Sequence, residues 1–158
     1  MKNKKKFWII GVIASLAMAT VIIIFIMKKS TPQYSPYNNP LTNISINGEK
    51  FKIEEVSTPE KAALGLSGRE SMCEKCGMLF VFGANDYRGF WMKDMKFDLD
   101  IIWISGDRVV YLAKNLSYEK GMAESVVPEA KADKVLEINA GMSDKIGIKI
   151  GDEVNFSE

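Results

Sequence analysis

The hydrophobic positions of this chain follow two different patterns. Phe7–Met27 (FWIIGVIASLAMATVIIIFIM) is apolar throughout and carries no charge. As a helix it would span about 32 Å, close to the roughly 30 Å of a bilayer core. After Pro40 the apolar residues come in short runs separated by turn residues. Leu41–Ile46 and Glu49–Val56 flank Asn47-Gly48, a pair suited to a tight hairpin because both central residues of that turn need positive φ. Phe51 and Ile53 share one face of the second run. Thr58-Pro59-Glu60 opens a helix over Pro59–Leu66, with Thr58 as N-cap, and Gly65 and Gly68 end it. Gly77–Phe82 and Leu99–Ile104 are nearly continuous apolar runs, as expected of strands covered on both faces.

The remaining segments are shorter. Gly83–Tyr87 reads as a turn, and Arg88–Lys93 alternates, with Phe90 and Met92 opposite Trp91 and Lys93. Arg108–Leu116 is strand-like, Ser117–Asp133 a long polar loop and Lys134–Ile138 a further strand. Ala140–Ile146 is a short helix stopped by Gly147, and Ile148–Ile150 and Glu153–Phe156 close the chain around a Gly151-Asp152 turn. Many short strands with two short helices predict a mainly β domain, α+β at the margin, built as a compact antiparallel sandwich or barrel.

Charge divides the 158 residues into an anchor and a domain. Lys2, Lys4, Lys5, Lys6, Lys28 and Lys29 flank the first apolar run, while all 20 acidic residues follow position 41, against 15 basic ones there. The excess of lysines before Phe7 favours a cytoplasmic N-terminus and a translocated domain. The expected organisation is a basic tail (1–6), a single-pass transmembrane helix in the cell membrane (7–27), a flexible linker (28–40) and an extracytoplasmic domain (41–158). The lipid bilayer is thus one partner. The competing reading is a cleaved signal peptide, since Ala17-Met18-Ala19 fits a small-x-small site. Thr20–Met27 stays apolar beyond it, which favours the uncleaved anchor.

The domain's net acidity argues against nucleic-acid binding. The chain has no histidine, which removes the commonest neutral-pH base and metal ligand. No metal site and no cofactor are expected. Cys73 and Cys76 are its two cysteines, and an exported setting predicts that they pair as a structural disulfide. A thiol–disulfide redox centre is the alternative; it ordinarily needs the motif at a helix N-terminus, whereas a strand follows here. Asp100 interrupts an apolar strand and must find a partner if buried. Lys93, Arg69 and Arg88 are the nearby cations. Asp100 either forms a polar site with Lys93 or Arg69, edged by Trp91, or satisfies backbone amides. Trp91, Met92 and Trp103 read as core residues.

Several motifs occur in a set order: Gly65-Leu66 with Arg69, Gly77–Phe82, Phe90–Lys93, Leu99–Ile102, Val135-Leu136-Glu137, Ala140-Gly141 and Gly147-Ile148 with Gly151-Asp152. Over about residues 49–156 the chain resembles the family called domain of unknown function 192. The resemblance implies a compact, jelly-roll-like β fold that is often exported, and no established activity. Two features depart from the family pattern: Asp94-Met95 stands where Asn-Thr often follows the Met-Lys pair, and the Cys73–Cys76 pair is additional. The leading functional reading is a non-enzymatic module that binds a ligand or an envelope partner, with Arg69, Trp91, Lys93 and Asp100 as candidate binding residues. The rival is an enzyme built on Asp100 with Lys93 or Arg69, or, more remotely, on the cysteine pair. No catalytic residue is assigned.

Overall fold

The computed structural model describes residues 33–157 apart from 124. The predicted membrane segment Phe7–Met27 lies outside them. Among the described residues no helix is long and apolar enough to cross a membrane.

The domain is mainly β. Its strands are β1 (Gln33–Tyr34), β2 (Pro40–Ile46), β3 (Glu49–Val56), β4 (Cys76–Tyr87), β5 (Phe90–Trp91), β6 (Leu99–Ser105), β7 (Arg108–Leu116), β8 (Ser125–Val126), β9 (Lys131–Asn139) and β10 (Val154–Ser157). Two short α-helices, α1 (Pro59–Leu64) and α2 (Met142–Ile146), and a 3-10 helix at Tyr118–Ala123 complete it. One sheet runs β1-β2-β3-β4-β9-β6-β7, and β10 joins it on β2; β5 and β8 form a separate ribbon. Of the expected antiparallel sandwich or barrel, the mainly β character holds, and the strands other than β5 and β8 form one sheet curled into a half-barrel. That sheet is not wholly antiparallel, because β3 and β4 run parallel. A parallel pair needs a crossover, and α1 with the loop after it supplies one.

Local chemistry fixes these elements. Asn47 and Gly48 both take positive φ, 51° and 79°, in the turn between β2 and β3. The Thr58 side chain accepts from the Lys61 amide at the start of α1, and Gly65 ends the helix at φ 51°. A Cβ on Gly65 would lie 3.4 Å from the Phe80 ring, an ordinary contact, so it is the positive φ that favours glycine at this turn. The expected turn at Gly83–Tyr87 is instead the far end of β4. It is reached through a register shift between Val81 and Asp86, a bulge that lets pairing with β9 resume after the apolar run stops. Residues 33–40, expected as linker, are part of the domain. Gln33–Tyr34 pairs with Pro40–Leu41, and Ser35 and Asn39 are buried.

The curl closes at one end. The Val109 amide donates to Asp152 (3.0 Å), Gly151 donates back to Val109 (2.8 Å), and Val154 donates to the Asp107 carbonyl (2.8 Å). The segment that pairs with β2 as β10 is thus tied to β7, the opposite edge of the sheet. Ile44, Ile46, Phe51, Ile102, Val109, Met142 and Val154 meet in one apolar cluster. Because residues from both edges meet in it, this cluster fills the inside of the curl. The other face carries a second cluster, with Met78, Phe80, Met92, Ile101, Trp103 and Val135 at its centre. That face is covered by the loop after α1 and by residues 90–98, and there the cavities lie.

Candidate functional site

Strand β9 is apolar on both faces: Leu136 and Ile138 point into the curl, Val135 into the outer-face cluster. Glu137 shares the outer face with Val135, opposite Met78 on β4 and Ile101 on β6. Only 5% of it is exposed. Its Oε2 atom is buried and has no hydrogen-bond partner among the described residues. Burial pushes the carboxyl up to about 8, with Arg69 as the one opposing influence. At neutral pH the empty site therefore holds a protonated acid.

Glu137 forms part of the wall of a cavity of about 170 Å³. Phe80, Phe82, Phe90, Trp91 and Met95 line it, and the α1 end, Ala62–Ser67, supplies the opposite side. The aromatic wall is internally braced. Phe90 packs edge-on against Phe80 (4.9 Å between centroids) and against Trp103 (5.9 Å). Trp103 in turn donates its indole N–H to the Arg88 carbonyl at 2.7 Å. The mouth is apolar and open: Leu64 is 62% exposed and Trp91 54%. Trp91 is thus a rim residue, not the core residue expected from its neighbours. Met92 and Trp103 are fully buried, as expected.

Arg69 lies beside this site without entering its wall. It lines a smaller cavity with Tyr37, Asn39 and Lys61, which shares Leu64, Gly65 and Ser67 with the larger one. Its guanidinium is fully engaged. Both terminal nitrogens donate to Glu54, at 2.5 and 2.9 Å, and the group stacks 3.8 Å from the centroid of the Tyr37 ring. Burial raises the Glu54 carboxyl, but donation from Arg69, Asn39 and Ser35 outweighs this and holds it below its ordinary value.

Asp100 and Lys93 are not brought together. Asp100 points into the curl, while Lys93 follows the outer-face residue Met92 and is exposed. The sheet separates them. The Asp100 oxygens accept from the backbone amides of Asn115 and Ser143, both at 2.8 Å. This is the amide-satisfying role, one of the two open at the outset, and neither Asp100 nor Lys93 lines the two cavities. Among the expected candidates, then, Trp91 edges the Glu137 cavity and Arg69 its smaller neighbour, while Arg88 lines a separate, more open cavity of about 440 Å³. Glu137 was visible in the sequence only as part of a motif. The signal that picks it out is the one used for Asp100: an acid flanked on both sides by apolar residues, here Leu136 and Ile138.

Cys73 and Cys76 are bonded, with Cα atoms 5.1 Å apart. Their loop is held by the Asn139 side chain, which donates to the Cys73 carbonyl at 2.8 Å, and by a Lys145–Glu74 ion pair. Among the described residues no group of acids and cysteines is placed to hold a metal ion.

The sequence profile of DUF192, described as an uncharacterized ACR, matches residues 42–156. No curated protein matches the chain. Among solved structures it is similar to a protein of unknown function from Novosphingobium aromaticivorans DSM 12444. The two are 28% identical, with TM-score 0.74, over 80% of this chain and 94% of that one. It is also similar in fold to a Sinorhizobium meliloti 1021 protein put forward as a transcription regulator, at 24% identity and TM-score 0.69, over 75% of this chain and 95% of that one. With its profile spanning nearly the whole β domain, the chain belongs to the DUF192 family.

Proposed function

We propose that this protein is a membrane-tethered, extracytoplasmic binding module whose small ligand occupies the cavity walled by Glu137 and rimmed by Trp91. The tether and its orientation rest on the uncharged run Phe7–Met27 and the lysines before it. The Cys73–Cys76 bond fits an oxidising compartment.

One observation carries the binding reading: Glu137 Oε2 is buried in a cavity wall without a partner. A buried polar group left unpaired costs about 1–3 kcal/mol, and of the four such side-chain atoms among the described residues Glu137 Oε2 is the one in the wall of this cavity. A ligand that supplies the missing partner recovers this cost. The rival enzyme reading needs polar groups converging on one cleft. Glu137 is the sole titratable residue among those lining the cavity, and Ser67 Oγ already donates to the Lys93 carbonyl at 3.0 Å. Binding without catalysis is therefore the better-supported reading.

The test titrates benzyl alcohol, benzylammonium and benzoate into the full chain in detergent micelles, following tryptophan fluorescence in a Trp8→Phe background. At least one probe saturates, and Ala62→Leu, which fills the cavity, abolishes the response. If none of the three saturates, the binding reading fails.

A further inference from the structure

The lining of this cavity also restricts what it can hold. Aromatic rings present a negative face to a cation, and a carboxylate supplies the matching charge; a ring-lined pocket with one acid is the arrangement that recognises organic ammonium groups. Here four aromatic residues, Phe80, Phe82, Phe90 and Trp91, line one cavity together with Glu137. Two arginines flank this site: Arg69 makes a two-point contact with Glu54, and Arg88 lies over the Phe82 ring, 4.2 Å from its centroid. Among the described residues nothing hydrogen-bonds Glu137 Oε2, so the acid faces the cavity with an oxygen open to a ligand.

Resting on the binding reading above, we infer that the ligand is a small organic ammonium, held between the aromatic wall and the Glu137 carboxylate. Size supports this. A cavity of roughly 150 Å³ accommodates benzene, so about 170 Å³ takes about seven or eight non-hydrogen atoms, the size of choline. Protonation does not oppose it strongly. With the carboxyl raised to about 8, ionising it at pH 7 costs about tenfold in affinity. The aromatic wall and a desolvated charge-assisted contact outweigh that factor. The exposed edge of Trp91 and Leu64 leaves the mouth open to a substituent on the ammonium nitrogen.

The experiment compares choline with 3,3-dimethylbutan-1-ol, which has the same shape and no charge. Both are titrated into the full chain in dodecyl maltoside, a detergent without ammonium groups, by calorimetry and tryptophan fluorescence. Choline is expected to bind at least about tenfold tighter than the alcohol. Glu137→Gln, which keeps the shape of the side chain, should weaken choline at least about tenfold and leave the alcohol within about twofold. Competition by phosphatidylcholine vesicles would assign the ammonium to a lipid headgroup, and its absence to a free cation; both outcomes support the class. Equal or tighter binding of the alcohol would overturn the ammonium inference while leaving the cavity a binding site. Failure of both compounds, where benzyl alcohol still binds, would overturn it too; failure of every probe would remove the binding reading itself.

Discussion

Glu137 is the residue at which site chemistry and stability meet. Its folded-state carboxyl titrates at about 8, against an ordinary value of 4.5. Between those values the folded protein holds a proton that the unfolded chain has released. Stability contributed at low pH is therefore lost as pH rises from about 4.5 to above 8. Since one pKa unit is worth about 1.4 kcal/mol, the rise from 4.5 to about 8 makes the full loss on the order of 5 kcal/mol. Glu137→Gln removes the titration. In urea unfolding the variant should match the parent near pH 5 and exceed it by on the order of 4 kcal/mol at pH 8 to 9. An equal difference at both pH values would mean that Glu137 does not titrate between them. Such a gain on removing a native side chain is what a site maintained for binding predicts. At this scale the sequence spoke unevenly. Asp100 and Glu137 both sit between apolar neighbours, but the cavity beside Glu137 depends on cover from residues 62–67 and 90–95, far away in sequence.

Asp100 acts between elements. The α2 N-cap is Gly141, which has no side chain to cap the helix. The Asp100 carboxylate, projecting from β6, accepts from Ser143 in the first turn of α2 and from Asn115 on β7. A remote strand thereby supplies the cap that the helix lacks, and holds β6, β7 and α2 together. Asp100→Ala should cost about 3 kcal/mol, two amide bonds to a charged acceptor being lost in a buried place. Asp100→Asn, which keeps one acceptor oxygen, should cost less. A double-mutant cycle of Asp100→Asn with Lys93→Met, read by urea unfolding, should show coupling below about 0.5 kcal/mol. Coupling above about 1 kcal/mol would return Asp100 to a charge pair across the sheet. Elements such as β2, β3, β6 and β7 were legible because alternation or a continuous apolar run, bounded by turn residues, marks each of them locally. The parallel β3–β4 pairing and the bulged half of β4 were not, because they depend on where the chain returns after α1 and on the register with β9.

At the scale of the whole molecule, the chain's two charge regimes and its disulfide point to the same arrangement. Four lysines precede Phe7–Met27 and two follow it, and every acidic residue lies in the β domain beyond. Positive charge is retained on the cytoplasmic side, so the domain should be exported. The disulfide then has a compartment in which to form. Its closed loop is short, so the bond constrains the unfolded chain by only about 2 kcal/mol. Such a bond reports location better than it supports the fold. Alkaline phosphatase fused after Glu158, active only outside the cytoplasm, should be active, and a fluorescent protein that folds only in the cytoplasm should be dark. In the same cells Cys73 and Cys76 should resist thiol labelling until reductant is added. Replacing both by serine should lower stability by about 2 kcal/mol and leave binding in the Glu137 cavity intact. The cavity is lined from α1, β4, β5 and β9, and Cys73 and Cys76 are absent from its wall. A bright cytoplasmic reporter together with freely labelled cysteines would place the domain inside the cell. The ammonium site would then have to draw its ligand from the cytoplasm.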